Sequence, residues 1–196
     1  MRYAPRLPSA TLATVCLCLI GLVGGCGGDE DSGSSGEDAK TVPLMSAEGG
    51  EAGTVKLTPV GEAVEVEADV TGLSPGFHGF HIHETGTCEP EAPLGAFDTA
   101  GGHSASGQQT HGDHAGDMPT LLAARDGTAR ATFTTDRYAL DDLADEDGSA
   151  VMVHADLDNQ ANIPDRYRAG KQPGADEETL DTGDSGDRVA CGVVTK

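Results

Sequence analysis

The stretch VEVEADV, residues 64–70, alternates strictly, with Val64, Val66, Ala68 and Val70 on one side and Glu65, Glu67 and Asp69 on the other. Period two sends successive side chains to opposite faces of an extended chain, so this run predicts a half-buried strand with one wet face. Similar short runs lie at Gly53–Pro59, Phe77–His83, Leu121–Arg125, Thr128–Thr134, Ala150–His154 and Val189–Val194. Turns such as Asp126-Gly127 and Asp147-Gly148 separate several of them. Many short strands with turn punctuation predict an all-β domain, a sandwich or a barrel. Helical signal is confined to one short turn at Leu140–Asp145. Two long segments, about 85–119 and 155–187, are Gly-rich and poor in regular pattern, and the first holds three histidines, which marks it as functional.

The N-terminus differs from this domain. Arg2 and Arg6 precede an apolar stretch, Leu12 to Val23, that ends in Gly24-Gly25-Cys26. A positive n-region, a short apolar core and small residues form a secretory signal. The run is too short to span a bilayer, which takes about 20 apolar residues. Val23-Gly24-Gly25-Cys26 looks like a bacterial lipobox, which implies cleavage before Cys26 and diacylglycerol on its sulfur. An ordinary signal peptide cut nearby, with Cys26 incidental, is the alternative. Two acyl chains suffice for stable anchoring. Residues 26–41 read as the lipidated cysteine and a flexible acidic Gly/Ser tether. The folded domain is assigned to 42–196, and 1–25 to the signal peptide. The protein is thus expected on the extracytoplasmic side of a bacterial membrane, held there by Cys26.

Of the five cysteines, Cys16 and Cys18 leave with the signal and Cys26 takes lipid, so Cys88 and Cys191 remain as one pair in an oxidising compartment. Closing so long a loop stabilises by about 4–5 kcal/mol in the chain-entropy model. The charge is strongly acidic. Without Arg2 and Arg6, Lys+Arg falls from 12 to 10 against 33 acids, a net −23. That excludes nucleic acid and electrostatic adhesion to anionic lipid. No lysine or arginine occurs between Lys56 and Arg125.

The chain has seven histidines, and six fall between residues 78 and 114. Neutral imidazole is the commonest side-chain metal ligand, so the cluster points to metal. His81 and His83 lie at i and i+2 on one strand and share a face. His154 ends another strand and can supply a third nitrogen, a set with an open position that suits copper or zinc. His103, His111, His114 and Asp117 come from a single loop, and three nitrogens with one carboxylate make a tetrahedral zinc set.

At these residues the chain resembles the copper/zinc superoxide dismutases. The resemblance runs through GFHGFHIHETGTCEP (76–90), AGGH (100–103), HAGD (114–117), VMVHADLDN (151–159) and GDSGDRVACGV (183–193). It implies an eight-stranded Greek-key β-barrel or sandwich, immunoglobulin-like, with two long functional loops. It implies copper on His81, His83, His103 and His154, and zinc on His103, His111, His114 and Asp117, with His103 as the bridge and a proton carrier. Asp158 would hydrogen-bond ligands of both metals, and Arg188 would hold the substrate anion. Cys88 and Cys191 would form the disulfide, and His78 would be structural. Only Gly112 and Asp113 separate His111 from His114, where the family has a longer subloop. The implied activity is dismutation of superoxide, protecting the cell envelope, by a monomer or homodimer. The alternative is a dismutase-like copper-binding or copper-buffering lipoprotein without turnover.

Overall fold

The computed structural model describes residues 39–105 and 109–196. The expected signal peptide, Cys26 and nearly all of the tether lie outside the described residues. Eleven strands are present: β1 Lys40–Ser46, β2 Glu51–Val60, β3 Ala63–Val70, β4 Gly76–His78, β5 Phe80–His83, β6 Leu121–Ala123, β7 Ala129–Thr135, β8 Ser149–His154, β9 Arg168–Ala169, β10 Gln172–Pro173 and β11 Arg188–Val194. Nine of them form one antiparallel sheet in the order β4-β6-β7-β3-β2-β1-β11-β8-β5. β3 has β7, not β4, as its outer neighbour, so the chain crosses over between distant strands.

The alternation in β3 works as its pattern predicts. Val64, Val66, Ala68 and Val70 are all buried, and they pack in one core with Val55, Leu57, Phe80, Ile82, Leu121, Val151 and Val153. The acids on the opposite face meet cations in register. Lys56 faces Glu67 and Arg130 faces Asp69 across the ladders, with contacts of 3.0 and 2.9 Å. Such pairs settle register more than they add stability.

The two edges of the sheet, β4 and β5, are consecutive in the chain. The predicted Phe77–His83 strand is therefore divided, which yields nine strands where eight were expected. Its first half pairs with β6 and its second half with β8. The break falls at Gly79, whose N–H goes to Asp156 O and whose carbonyl accepts from His154 N–H, both at 2.9 Å. One run of chain thus joins both edges and closes the sheet. A Cβ at Gly79 would stand 2.6 Å from Ser185 Cβ and 3.1 Å from His81 Cε1, so the corner admits only glycine.

β5 and β8 are buried along their whole length. Phe80, Ile82, Val151 and Val153 face the main core, while Ala150 and Met152 face a second cluster with Phe97, Ala100 and Cys191. The loop after β5 supplies that cover, and the Cys88–Cys191 disulfide (Cα–Cα 5.7 Å) ties it to β11. The expected pairing of these two cysteines is present. The helical turn appears as a 3-10 segment at Leu140–Ala144.

The 155–187 loop holds more order than its sequence suggests. It contains the β9–β10 hairpin and a six-residue helix, α1, at Glu177–Thr182. Asp176 caps α1 by accepting from Thr179 N–H, and Gly183 ends it at φ +66°. A helix of this length shows no periodicity, which is why the sequence pattern does not reveal it. Among the described residues no helix is long and apolar enough to cross a membrane.

Replacing Gly79 by alanine is expected to destabilise the disulfide-intact protein by about 1–3 kcal/mol, the usual effect of overpacking. Urea unfolding measures it, and an unchanged midpoint would show that the corner has room.

Candidate metal centre

β5, β8 and the two loops bring six of the seven histidines together. His81 and His83 project from the outer face of β5, and His154 ends β8. The loop after β5 returns His103 to His83, with which it forms an isolated bridge. His81, His83, His103 and His154 each offer a nitrogen within 4.8 Å of the others, and all four residues are buried. A second such group comprises His81, His103, His111 and Asp117. His103 belongs to both, and it turns Nδ1 to Asp117 Oδ1 at 3.0 Å.

In every ring of the centre except His103, the nitrogen away from the centre is committed. His83 Nδ1–H donates to Gly101 O at 2.9 Å, and His154 Nδ1–H donates to Gly186 O at 3.0 Å. Carbonyls only accept, so these contacts fix the tautomers and leave both Nε2 lone pairs facing each other at 3.3 Å. Asp158 accepts from His81 Nε2 at 2.6 Å and from His111 Nε2 at 2.7 Å. His114 Nε2 contacts Gln109 O at 3.2 Å.

Three of the inward nitrogens have no hydrogen-bond partner. Among the described residues, four buried side-chain polar atoms lack a hydrogen-bond partner, and three are His81 Nδ1, His111 Nδ1 and His114 Nδ1. An unpaired buried polar atom is costly, and three around one centre mark it as a place for metal ions. Asp117 Oδ1 lies 3.0, 3.2 and 3.5 Å from the Nδ1 atoms of His103, His111 and His114. Ligands at about 2.0–2.1 Å around a tetrahedral ion stand about 3.3 Å apart, so His103, His111 and Asp117 fit zinc, while His114 reaches Asp117 but lies outside the compact ligand group. His114 is the outermost of the three. The facing lone pairs of His83 and His154, with His81 and His103 alongside, fit copper.

Burial favours the neutral ligand form. It pushes His83 well below the usual imidazole value, His103 down to about 4 and His154 to about 3. Burial acts the same way on His111, but the carboxylates of Asp117 and Asp158 outweigh it and raise His111 to about 9. Those carboxyls resist burial in turn, and their histidine contacts hold both well below the usual carboxylate range.

Arg188 opens β11 directly across from His154. Its Nη1 and Nη2 donate to Phe97 O and Gly101 O, each at 2.6 Å. Gly101 O therefore holds both His83 and Arg188. His78 stands apart: it is buried in the barrel, with its two ring nitrogens 2.8 Å from the carbonyls of His154 and Ser74. The Gly101 and Gly186 carbonyls left no trace in the sequence, because any residue supplies a carbonyl. Arg137, which contacts the 112–114 turn, was also missed, since nothing in a chain of scattered charges relates it to that loop.

These shifts predict a pH optimum for the stability of the metal-free protein. His103 and His154 are depressed on folding, so between pH 6.5 and about 4 to 3 the unfolded chain binds more protons and stability falls as pH falls. His111 is raised, so its contribution is complete below 6.5 and is lost as pH climbs toward 9. The melting temperature of the metal-free protein is expected to peak near pH 6.5 and drop on both sides. A flat profile from pH 4 to 9 would contradict the assigned environments.

A family model described as copper/zinc superoxide dismutase matches residues 51–194. The chain is 41% identical over 175 residues to a Cu-Zn superoxide dismutase of Mycobacterium tuberculosis, covering 84% of this chain and 73% of that one. It is 36% identical over 152 residues to the corresponding enzyme of Neisseria meningitidis, covering 72% and 73%. Among solved structures, Cu/Zn superoxide dismutase from Brucella abortus aligns with a TM-score of 0.60 at 29% identity, over 80% of this chain and 99% of that one. A SOD-like protein from Bacillus subtilis aligns at 0.58 and 26% identity, over 80% and 99%. With the family model spanning nearly the whole described domain and its motifs converging on one buried centre, this chain belongs to the copper/zinc superoxide dismutase family.

Proposed function

We propose that this protein dismutes superoxide at the extracytoplasmic face of a bacterial membrane, where it is tethered through Cys26 and protects the envelope. Two superoxide anions and two protons become dioxygen and hydrogen peroxide. His81, His83, His103 and His154 would hold copper, and His103, His111, His114 and Asp117 would hold zinc. The observation that carries this reading is the pair of overlapping ligand groups, in which His103 sits among the copper-side histidines and turns Nδ1 to Asp117, beside an arginine anchored to the same carbonyl as His83. Copper held there would supply one-electron redox chemistry, and zinc a fixed positive charge.

The residues of the chain do the rest. Arg188 spends two of the five N–H donors of a guanidinium on Phe97 O and Gly101 O. Those bonds hold it rigid, and the remaining donors are available to an anion. Binding then orders neither partner further, which lowers its entropic cost. His103 Nε2 is the position at which a proton is taken up and handed to the reduced substrate. Asp158 keeps the rings of His81 and His111 aligned through both half-reactions.

The membrane reading rests on the sequence before Cys26 and gains support from the Cys88–Cys191 disulfide, a bond that persists in oxidising compartments. Some fourteen tether residues at about 5–6 Å × √n give a reach of roughly 20 Å.

Metal content and dismutation are best measured on one sample. Near-stoichiometric copper and zinc with turnover is the expected result, and copper without turnover would favour the copper-buffering reading. Arg188→Ala is expected to lower kcat/KM by about tenfold, within the range for lost electrostatic guidance, with metal content unchanged. An unaltered rate would remove the role given to Arg188. Cys26→Ala should move the protein from the membrane to the soluble fraction, and retention in the membrane would disprove the anchor.

A further inference from the structure

Only Gly112 and Asp113 separate His111 from His114. Both Nδ1 atoms nevertheless approach one oxygen of Asp117, at 3.2 and 3.5 Å. A spacer this short cannot absorb misalignment, so the backbone of the turn sets where the two rings point. That backbone is held from two sides. Gly112 N–H and His114 N–H donate to Asp117 Oδ2 at 2.6 and 3.1 Å. The carbonyls of the same two residues accept from Arg137, Gly112 O from Nη2 at 3.0 Å and His114 O from Nη1 at 2.8 Å.

We propose that Arg137 is a positioning residue for the zinc ligands, standing in for the longer subloop that this chain lacks. The inference rests on the zinc reading above. Arg137 enters from the segment after β7, where its own N–H donates to Thr135 Oγ1 at 3.3 Å. The next residue, Tyr138, donates to Met118 Sδ at 3.3 Å, beside Asp117. The crossover strap thus grips both ends of the 112–118 turn. A planar guanidinium offers two parallel donors in a fixed fork, which matches two carbonyls two residues apart; a lysine ammonium lacks that fork. The positive charge at the carbonyls polarises the turn. The Arg137 side chain itself is exposed and belongs to no core cluster, so the barrel does not depend on it. It does not touch the metal site. Its influence reaches the metal through the peptide backbone.

The test is zinc affinity by chelator competition on the full protein, for wild type, Arg137→Ala and Arg137→Lys. Arg137→Ala is expected to bind zinc about 10–100-fold more weakly, the usual loss for a partner behind the ligands. Arg137→Lys should recover part of that loss. Copper affinity and the melting temperature of the metal-free protein should stay at wild-type values. Cobalt placed in the zinc site should show a weaker or shifted tetrahedral visible band in Arg137→Ala. Equal zinc affinity in Arg137→Ala and wild type would overturn the proposal, as would parallel losses in copper, zinc and metal-free stability. Wild-type protein that binds no zinc at all would instead overturn the underlying metal reading.

Discussion

The buried carboxylate of Asp158 joins the two ligand groups, and the rest of the centre depends on it. One oxygen takes His81 Nε2 and the other takes His111 Nε2. Each ring can then present only Nδ1 inward. A third donor, Gln160 N–H at 2.6 Å, fixes the carboxylate itself. Asp158 rides on the 155–187 loop, while His81 belongs to the barrel and His111 to the loop after β5. Three separate parts of the chain are thus registered through one side chain. This is why the long loops are ordered where they meet the centre, although neither has much regular structure.

The approach of those loops relies on missing side chains. A Cβ at Gly183 would run into the His111 ring, and one at Gly116 into Ile82 O. Gly183 also ends α1, and Leu180 in that helix accepts His111 N–H at 2.6 Å. The helix is therefore a brace for one imidazole, not an independent element. On the other side, the disulfide and Arg188 hold the 88–101 arm against β11. Phe97 and Ala100 anchor that arm, buried in one cluster with Ala150, Met152 and Cys191. The site gains rigidity from these supports while the Nδ1 atoms of His81, His111 and His114 stay unbonded, the combination a metal site requires.

These features differ in how far they can be read from the residues. Half-exposed strands such as β3 declare themselves, because water on one face imposes period two. β1 does not: Pro43 breaks the pattern, and it is tolerated because β1 pairs with β11 only at Met45 and Ser46. Covered strands such as β8 lose their alternation altogether, since both faces are dry. The histidine ligands and Asp158 were legible through family motifs, because metal chemistry restricts residue type and spacing. The carbonyls of Gly101 and Gly186 were not, because backbone chemistry is common to all residues. Arg137 was hidden for a third reason: its partners are also carbonyls, 23 and 25 residues away in the chain.

A net charge of −21 works against an anionic substrate. The conflict weakens once distance is considered. The Debye length is about 8 Å at physiological salt, so exposed acids farther away than that act feebly on the centre. The acidic face of β3 looks outward from the barrel and carries its own cations, Lys56 and Arg130. At the centre, the nearby acids Asp117 and Asp158 are already committed to histidines, and bound cations would neutralise them. That leaves Arg188, half-buried and hydrogen-bonded to neutral carbonyls, which among the described residues has no direct ion pair and only the more distant charge of Asp98 acting on it. A guanidinium in that state is a stronger attractor than one paired to a carboxylate, and it stands beside the histidines that would hold copper. Binding an anion therefore depends less on the sign of the whole protein than on keeping carboxylates off this one arginine.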